Sequence, residues 1–231
     1  MERSEEGGGR RMKSLVLLGA LLLVILSMPI GATSEHAIGV VARMFYVVVF
    51  CIGGYLLSSN RRWVILFLCI AVPSLVVGTV NSAMPEIGGL FMARELLLLG
   101  LQVLLIWAVI RYSLFCQMAA NLDRIIAGIC GYLIIGLMWE NLYGMVEHLR
   151  PGSFLFSDGG AVVNDGGSFL YFSLVTLSTL GYGDITPTAA LPRTLAALEA
   201  VMGTLYLAVF VASLVSSVGP VRRGADSRDA E

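Results

Sequence analysis

The stretch TLSTLGYGDITP, residues 176–187, places two glycines around a tyrosine and follows them with an aspartate. Before it lies the apolar run SFLYFSLVTLS at 168–178, and a longer apolar run begins at residue 190. The first run is long enough for about three turns of helix but too short to cross a bilayer. Non-helical backbone is tolerated at membrane depth only beside protein or a water-filled cavity. The sequence therefore predicts a re-entrant half-helix followed by a segment that lines a wet passage.

The composition predicts an integral membrane protein. Hydrophobic residues make up 57% of the 231 residues and charged residues 13%, whereas an ordinary soluble domain has about 25% charged residues. A membrane-spanning helix needs ~20 mostly apolar residues. Six runs meet this requirement, and they lie at 14–30, 38–57, 63–80, 90–110, 125–142 and 190–218.

The first run admits two interpretations. Arg10, Arg11 and Lys13 precede a leucine-rich stretch, a pattern that is also typical of a cleaved secretory signal. The run is longer than a usual signal core, and IGA at 30–32 makes a poor cleavage site. A retained helix is the preferred interpretation, and the orientation of the other spans is the same in either case.

Basic residues predict the orientation of the spans. Lys or Arg occurs before span one, between spans two and three, between four and five, and after six, whereas the loops after spans one and three contain neither. Short loops rich in Lys and Arg stay in the cytoplasm. Both termini are therefore expected to be cytoplasmic and the segment between spans five and six to face outward, in a multi-pass protein of the plasma membrane.

The outward segment ends in a string that resembles the hallmark TxxTxGYGD of the potassium-channel pore family. The matching positions are Thr176, Thr179, Gly181, Tyr182, Gly183 and Asp184. The order of helices and loop over residues 121–218 also resembles that family. The resemblance implies an all-α membrane protein with six transmembrane helices, a re-entrant pore helix and selectivity filter between helices five and six, and assembly as a homotetramer.

The same resemblance divides the chain into four parts. A cytoplasmic tail at 1–13 precedes a four-helix transmembrane domain at 14–112, and a pore domain at 121–218 precedes a second cytoplasmic tail at 219–231. Span four contains Arg94 but no further base at three-residue steps, whereas a voltage sensor needs several basic residues on one helical face. Conventional voltage gating is therefore excluded.

The resemblance implies a passive potassium channel in which main-chain oxygens hold the K⁺ ion. Carbonyls of Thr179, Leu180, Gly181 and Tyr182, with the Thr179 hydroxyl, would replace the water around the ion, and Gly183 completes the filter. A row of carbonyls aimed at one axis requires positive φ at Gly181 and Gly183, which glycine adopts without steric cost. Leu180 stands where the family usually has valine or isoleucine. A non-selective monovalent cation channel is therefore the alternative function.

The resemblance also implies residues that support the filter, namely Thr176, Tyr171, Phe172, Asp184 and Glu199. The Tyr182 ring is expected to turn away from the ion and to pack beside Tyr171 and Phe172. We expect Asp184 to accept a hydrogen bond from Tyr171, and Glu199 to support the filter from behind.

Several acids have alternative interpretations. Glu140 and Glu199 are charged residues at membrane depth, which usually face protein or water rather than lipid, and Arg193 is a candidate partner for one of them. The outward segment adds three acids that either concentrate cations at the pore mouth or are simply solvated, namely Glu147, Asp158 and Asp165.

Span six is expected to be the inner helix of the pore. Gly203 lies twenty positions beyond Gly183, where the family has a hinge glycine. A glycine inside a helix marks either bending or close packing. One helical face is predicted to line the cavity, and it comprises Thr204, Leu207, Ala208, Val211 and Val215.

Other function classes lack the residues that they need. The chain has two histidines, His36 and His148, both in predicted outward loops, and no grouping typical of hydrolases, metalloproteases or phosphate-binding enzymes. An enzyme is therefore not expected, no cofactor is expected beyond the permeant K⁺, and no basic patch predicts nucleic-acid binding. The expected partners are three identical subunits and membrane lipid.

Overall fold

The computed structural model describes residues 14–27, 46–50, 53–54, 61–84, 88–115, 122–160, 162 and 167–217. Helices in these ranges are α1 (Ser14–Ser27), α2 (Arg61–Ala83), α3 (Gly88–Phe115), α4 (Leu122–Leu149), α5 (Ser168–Leu177) and α6 (Ala190–Ser217). Helical residues also occur at 46–50 and 53–54. The described strands are β1 (Phe154–Phe156) and β2 (Ile185–Pro187), which form an antiparallel pair.

Four of the described helices are long and apolar enough to cross a membrane, and they lie at Arg62–Ala83, Gly89–Arg111, Leu122–Leu149 and Ala190–Ser216. They correspond to predicted spans three to six and make the protein a multi-pass membrane protein. α1 is a shorter apolar helix at predicted span one. Most of predicted span two lies outside the described residues, so the count of six spans stays a prediction.

The helices α1 to α4 share one apolar core. Leu17 of α1, Phe67 of α2, Leu105 of α3 and Ile134 of α4 are all buried in it. Lipid tails are as apolar as these side chains, so such helices associate through close packing rather than through exclusion of water. The core therefore holds the N-terminal helices against α4.

α6 packs against α4 where α4 carries glycines. A Cβ atom at Gly128 would lie 2.0 Å from the Phe210 ring, and one at Gly131 would lie 2.5 Å from the Tyr206 hydroxyl. The Tyr206 hydroxyl donates a hydrogen bond to the Gly128 carbonyl at 2.7 Å. Small residues permit this close approach, as is common between membrane helices.

An aromatic cluster, formed by Tyr143, Phe154, Phe169 and Phe172, joins α4, β1 and α5. Ring centroids are 5.3 Å apart for Tyr143 and Phe154, 5.1 Å for Tyr143 and Phe172, and 5.1 Å for Phe154 and Phe169. All three pairs are edge-to-face, an arrangement that contributes ~0.5–1.5 kcal/mol per pair beyond burial. The cluster attaches α5 to the C-terminal part of α4.

α4 is longer than the hydropathy pattern indicated. Span five was predicted to end at residue 142, and the outward segment to begin at Tyr143. The helix continues to Leu149. Tyr143 is buried in the aromatic cluster, and the Glu147 carboxylate accepts a hydrogen bond from the Gly152 N–H at 2.6 Å. Tyr143 thus has buried partners and Glu147 has a backbone partner, and a count of apolar residues detects neither.

The first part of the outward segment is polar and glycine-rich, but it is not fully exposed. Phe154 is buried, and β1 pairs with β2 in the register Phe154↔Pro187, Leu155↔Thr186 and Phe156↔Ile185. The Ser157 N–H also donates to the Asp184 carbonyl at 2.8 Å. The loop before α5 is thus tied to the chain directly after the TLGYGD residues.

Candidate functional site

The glycine string, residues 179–184, begins directly after α5. The Thr179 N–H donates to the Thr176 carbonyl at 2.9 Å. The N–H groups of Leu180 and Gly181 both donate to the Val175 carbonyl, at 2.9 and 3.3 Å. These bonds use carbonyls that the last turn of a helix leaves without helical partners. They fix the start of the string against the end of α5.

Positive φ angles recur at every second residue of the glycine string. Thr179, Gly181 and Gly183 have positive φ angles of 59°, 57° and 77°. The prediction of positive φ at both glycines is confirmed. Positive φ at Thr179 is uncommon for a β-branched residue, and it was not predicted from the residue type. Alternation of this kind turns successive carbonyls toward one side, which a row of cation-binding oxygens requires.

The glycine string has little packing against its own chain. The side chains of Leu180 and Tyr182 are 56% and 66% exposed. A Cβ atom at Gly181 or Gly183 would meet no heavy atom of the described residues within 4 Å. Within a single chain the glycine string is therefore an open strand that no other described element covers.

Tyr171 and Asp184 form the predicted hydrogen bond. The Tyr171 hydroxyl donates to Asp184 Oδ2 at 2.6 Å, and Asp184 Oδ1 accepts the Ile185 N–H at 3.1 Å. The bond to the Asp184 carboxylate raises the pKa of the Tyr171 phenol to about 12. The Tyr171 and Tyr182 rings are nearly parallel, 6° apart with centroids at 6.4 Å. The phenol thus remains a donor at neutral pH and braces the end of the string.

Phe172 was expected to lie beside Tyr182. Within one chain it does not. It is buried in the aromatic cluster, with its ring 5.1 Å from Tyr143 and 5.5 Å from Phe154. Adjacent residues of a helix point about 100° apart, so Tyr171 and Phe172 reach different neighbours. Phe172 therefore packs α5 against α4 and β1 instead of contacting the string.

Glu199 is fully buried and bridges three helices. One of its carboxyl oxygens accepts a hydrogen bond from the Tyr143 hydroxyl of α4. The other lies 2.6 Å from the Ser173 hydroxyl oxygen of α5. Neither partner was predicted from the sequence, because Tyr143 was assigned to a loop and Ser173 lies within an apolar run. One signal could have indicated such partners: a buried acid such as Glu199 needs hydroxyl or N–H donors.

The suggestion that Arg193 pairs with Glu199 or Glu140 is wrong. Arg193 is exposed, and within the described ranges the one salt bridge joins Arg94 to Glu95. Glu199 is satisfied by hydroxyl groups instead. Arg94 also lies 5.2 Å from the centroid of the Phe91 ring, so this base of span four is held by its immediate neighbours.

Gly203 lies where α6 approaches the end of α5. A Cβ atom there would be 2.1 Å from the Leu177 carbonyl oxygen. Of the two interpretations of this glycine, close packing accounts for the contact that is seen. Leu177 lies one helical turn beyond Ser173 on α5, and Gly203 lies one turn beyond Glu199 on α6. The two helices therefore touch at two successive turns.

The remaining predicted residues differ in their surroundings. The five residues of the predicted cavity face are all exposed in the single chain, namely Thr204, Leu207, Ala208, Val211 and Val215. Among the outward acids, Asp158 is exposed and accepts the Gly160 N–H at 2.9 Å. Asp165 lies outside the described residues. Glu147 is buried and bonded to Gly152, so it is not a solvated loop acid, and its role in attracting cations stays a prediction.

Known proteins resemble the region that contains this site. Residues 101–218, just over half of the chain, match the family described as ion channel. The chain is also 36% identical over 88 residues to the inward rectifier potassium channel Kirbac3.1 of Paramagnetospirillum magnetotacticum. That match covers 36% of this chain and 25% of the relative, so the chain spans about a quarter of the relative's length. The two matches confirm the resemblance drawn from the glycine string.

Proposed function

The chain belongs to the ion-channel family, and from that premise we propose that it conducts K⁺ passively across the plasma membrane through a pore built from four copies. The observation that carries this proposal is the alternation of positive φ at Thr179, Gly181 and Gly183 directly after α5. Carbonyl oxygens of Thr179 to Tyr182 would replace the water shell of the ion. Membership of this family implies transport rather than enzymatic catalysis.

Assembly as a homotetramer is supported by what one chain leaves open. Within one chain, 61% of the most apolar 18-residue stretch of α4 is buried, whereas the corresponding share of α6 is 11%. The exposed α6 residues include Leu198, Val201 and Leu205 outside the proposed cavity face. Four copies around an axis would cover these residues and close the carbonyl strands into rings.

α5 contributes electrostatically to the same pore. Its C-terminal carbonyls carry roughly half a negative charge, and α5 ends directly at the glycine string. Four such termini aimed at one cavity favour a cation at mid-membrane. The Kirbac relative, described as a potassium channel, supports the choice of K⁺ as this cation.

A non-selective monovalent cation channel is the second candidate, and Leu180 is the residue that favours it. The family usually has valine or isoleucine there, and a γ-branched side chain in place of a β-branched one changes the packing behind the carbonyl. Because the carbonyl itself is unchanged, we propose that K⁺ selectivity is retained.

We also propose that the channel is not conventionally voltage-gated and has both termini in the cytoplasm. Arg94 is the base that span four offers at sensor spacing, and it is paired with Glu95. A base held in this way does not supply the several gating charges per subunit that a voltage sensor moves.

The proposal is tested by reconstituting the purified protein in liposomes and measuring the reversal potential with K⁺ on one side and Na⁺ on the other. We expect the potential to follow the K⁺ gradient and barium to block the current. Liposomes with Gly181→Ala protein control for leak and for contaminating channels. A reversal potential midway between the K⁺ and Na⁺ values would instead support the non-selective channel, and absence of current would contradict both.

A further inference from the structure

The oxygen atoms around Glu199 make three short contacts. The Tyr143 hydroxyl bonds one carboxyl oxygen, and the Ser173 hydroxyl oxygen lies 2.6 Å from the other. The Ser173 oxygen also lies 2.8 Å from the Gly136 carbonyl oxygen of α4. Both Ser173 distances lie in the range of hydrogen bonds between oxygens, and the Tyr143 hydroxyl contacts the other carboxyl oxygen, so a hydrogen atom is needed in each of the three contacts.

The two hydroxyl groups supply two of the three hydrogens. A hydroxyl has one hydrogen to donate, and a carbonyl has none. If Tyr143 donates to Glu199 and Ser173 donates to Gly136, the hydrogen between Ser173 and Glu199 must belong to the carboxyl group. With an ionised carboxylate, one of the three contacts would place two oxygen lone pairs against each other.

The surroundings of Glu199 also favour the uncharged acid. Glu199, Ser173 and Tyr143 are 0% exposed. Among the described residues packed against Glu199, the titratable groups are Tyr143 and, within electrostatic reach, Tyr132, both on α4. α5 contributes the Ser173 hydroxyl and no charge, and Arg193 of α6 is exposed. A buried charge without a partner is far more costly than a hydrogen-bonded neutral group.

The geometry points to Glu199 as a neutral carboxylic acid that donates a hydrogen bond to Ser173 and thereby positions α5 behind the glycine string. This inference rests on the proposed channel function for its consequence, but the location of the proton does not depend on it. Glu199 is a positioning residue, because it contacts α4 and α5 and none of the string.

The position of α5 matters because the glycine string is hydrogen-bonded to its last turn. The string is bonded to the carbonyls of Val175 and Thr176, which lie two and three residues after Ser173. A shift of α5 at Ser173 would therefore move the carbonyls that follow. The contact of Gly203 with the Leu177 carbonyl holds the end of the same helix.

Infrared spectroscopy of the purified protein locates the proton at neutral pH. The difference spectrum between wild type and Glu199→Gln is expected to show the loss of a protonated-carboxyl C=O band. Glu95→Gln is the matched control, since Glu95 is also buried but is paired with Arg94, and it should remove carboxylate bands instead. Loss of carboxylate bands in Glu199→Gln would overturn the inference.

Ser173→Ala gives an independent measurement on protein that still contains Glu199. Removing the acceptor of the acid's hydrogen bond should shift the carboxyl C=O band to higher frequency, and an unmoved band would contradict the inference. This result holds even if Glu199→Gln fails to fold.

Potassium flux in liposomes tests the positioning role. A glutamine can donate to Ser173 and accept from Tyr143, so Glu199→Gln is expected to retain flux within about threefold of wild type, whereas Glu199→Ala leaves buried groups unpaired and should lose at least about tenfold. Equal loss in both variants would show that a charge is required and would overturn the inference. If wild type carries no flux at all, the proposed function fails while the infrared result still places the proton.

Discussion

The glycine string and the residues packed behind it are held in place by different kinds of interaction. The residues behind it, here called the support, are Tyr143, Phe169, Ser173, Glu199 and Gly203. Tyr182 of the string is 66% exposed, whereas Tyr143, Glu199 and Phe169 behind it are fully buried. The string is defined by backbone conformation and by bonds to one helix turn, and the support is defined by side-chain contacts among three helices. The difference teaches that one chain completes the packing behind the string but leaves the string itself open, as the proposed four-copy pore requires.

This contrast predicts two kinds of sensitivity to substitution. In the string, a side chain that fits the space is still harmful if it cannot adopt the backbone angle. In the support, the backbone angle is ordinary, and a side chain is harmful if it has no space or no partner. Matched pairs of substitutions separate the two effects.

Gly181→Ala should have the largest effect on conduction. A Cβ atom there meets no described heavy atom within 4 Å, but φ is 57°, and an L-residue in this region costs roughly 1–2 kcal/mol. With four copies in the proposed pore, we expect K⁺ flux in liposomes to fall by more than about a hundredfold.

Gly159→Ala is the control for this prediction. Gly159 has a φ of 84° and the same open space, but it lies in the turn after β1 and is not part of the string. The local strain is the same, and flux is expected to stay near the wild-type value. Equal loss of flux in both variants would mean that strain anywhere in the fold, rather than carbonyl geometry, stops conduction.

Gly203→Ala should have the largest effect on stability among substitutions in the support. Its Cβ atom would lie 2.1 Å from the Leu177 carbonyl oxygen, so α5 or α6 must move. Overpacking of this kind costs about 1–3 kcal/mol in the free energy of unfolding, which denaturation in detergent micelles measures.

Gly100→Ala provides the opposite case. No described heavy atom lies within 4 Å of a Cβ atom there, and replacing a helix glycine by alanine stabilises by up to about 1 kcal/mol. If Gly203→Ala left stability unchanged but altered the open time of the channel, a hinge rather than close packing would explain Gly203.

Tyr171→Phe should have a smaller effect, confined to the outer end of the string. It removes the bond to Asp184, and we expect conductance to be lost about two- to tenfold faster during sustained recording. Tyr132→Phe is the control, because within the described chain the Tyr132 hydroxyl makes no hydrogen bond. An unchanged rate in Tyr171→Phe would show that the stacked Tyr182 ring suffices.

The same bond predicts a pH dependence. The pKa of Tyr171 is raised from 10.0 to about 12, so the bond contributes fully below pH 10 and its contribution is lost as the pH rises through about 12. Wild-type conductance should become unstable in that window. Tyr171→Phe should lack this alkaline transition.

Leu180→Val is expected to have the smallest effect. The Leu180 side chain is 56% exposed in the single chain, and its carbonyl, not its side chain, faces the proposed ion. We expect the ratio of K⁺ to Na⁺ permeability to rise by no more than about threefold, which is ~0.65 kcal/mol. A larger rise, measured as a shift in reversal potential, would show that Leu180 sets the selectivity.

Elements with a strong local signal were predictable from the sequence. Span six was predicted at 190–218 and α6 is Ala190–Ser217, and the half-helix predicted at 168–178 is α5, Ser168–Leu177. Both are long apolar runs that end at glycine, proline or charged residues. The positive φ angles of Gly181 and Gly183 and the bond from Tyr171 to Asp184 also followed from short-range chemistry.

Elements that depend on distant partners were not predictable. β1 and β2 have three residues each and lie about thirty positions apart, too short for a periodic pattern. The last turns of α4, from Tyr143 to Leu149, carry few strongly apolar residues, but Tyr143 meets the buried Glu199 there and Glu147 accepts the Gly152 N–H.

The sequence alone determined that the chain crosses membranes, that its apolar runs form helices, and that its glycines permit alternating backbone around Tyr182. These properties depend on hydropathy and on local steric freedom, which each short segment carries by itself. Only the tertiary structure decided that Glu199 meets Tyr143 and Ser173 rather than Arg193, and that Gly203 touches the Leu177 carbonyl. Such pairings depend on where three helices converge, and no local pattern records that position.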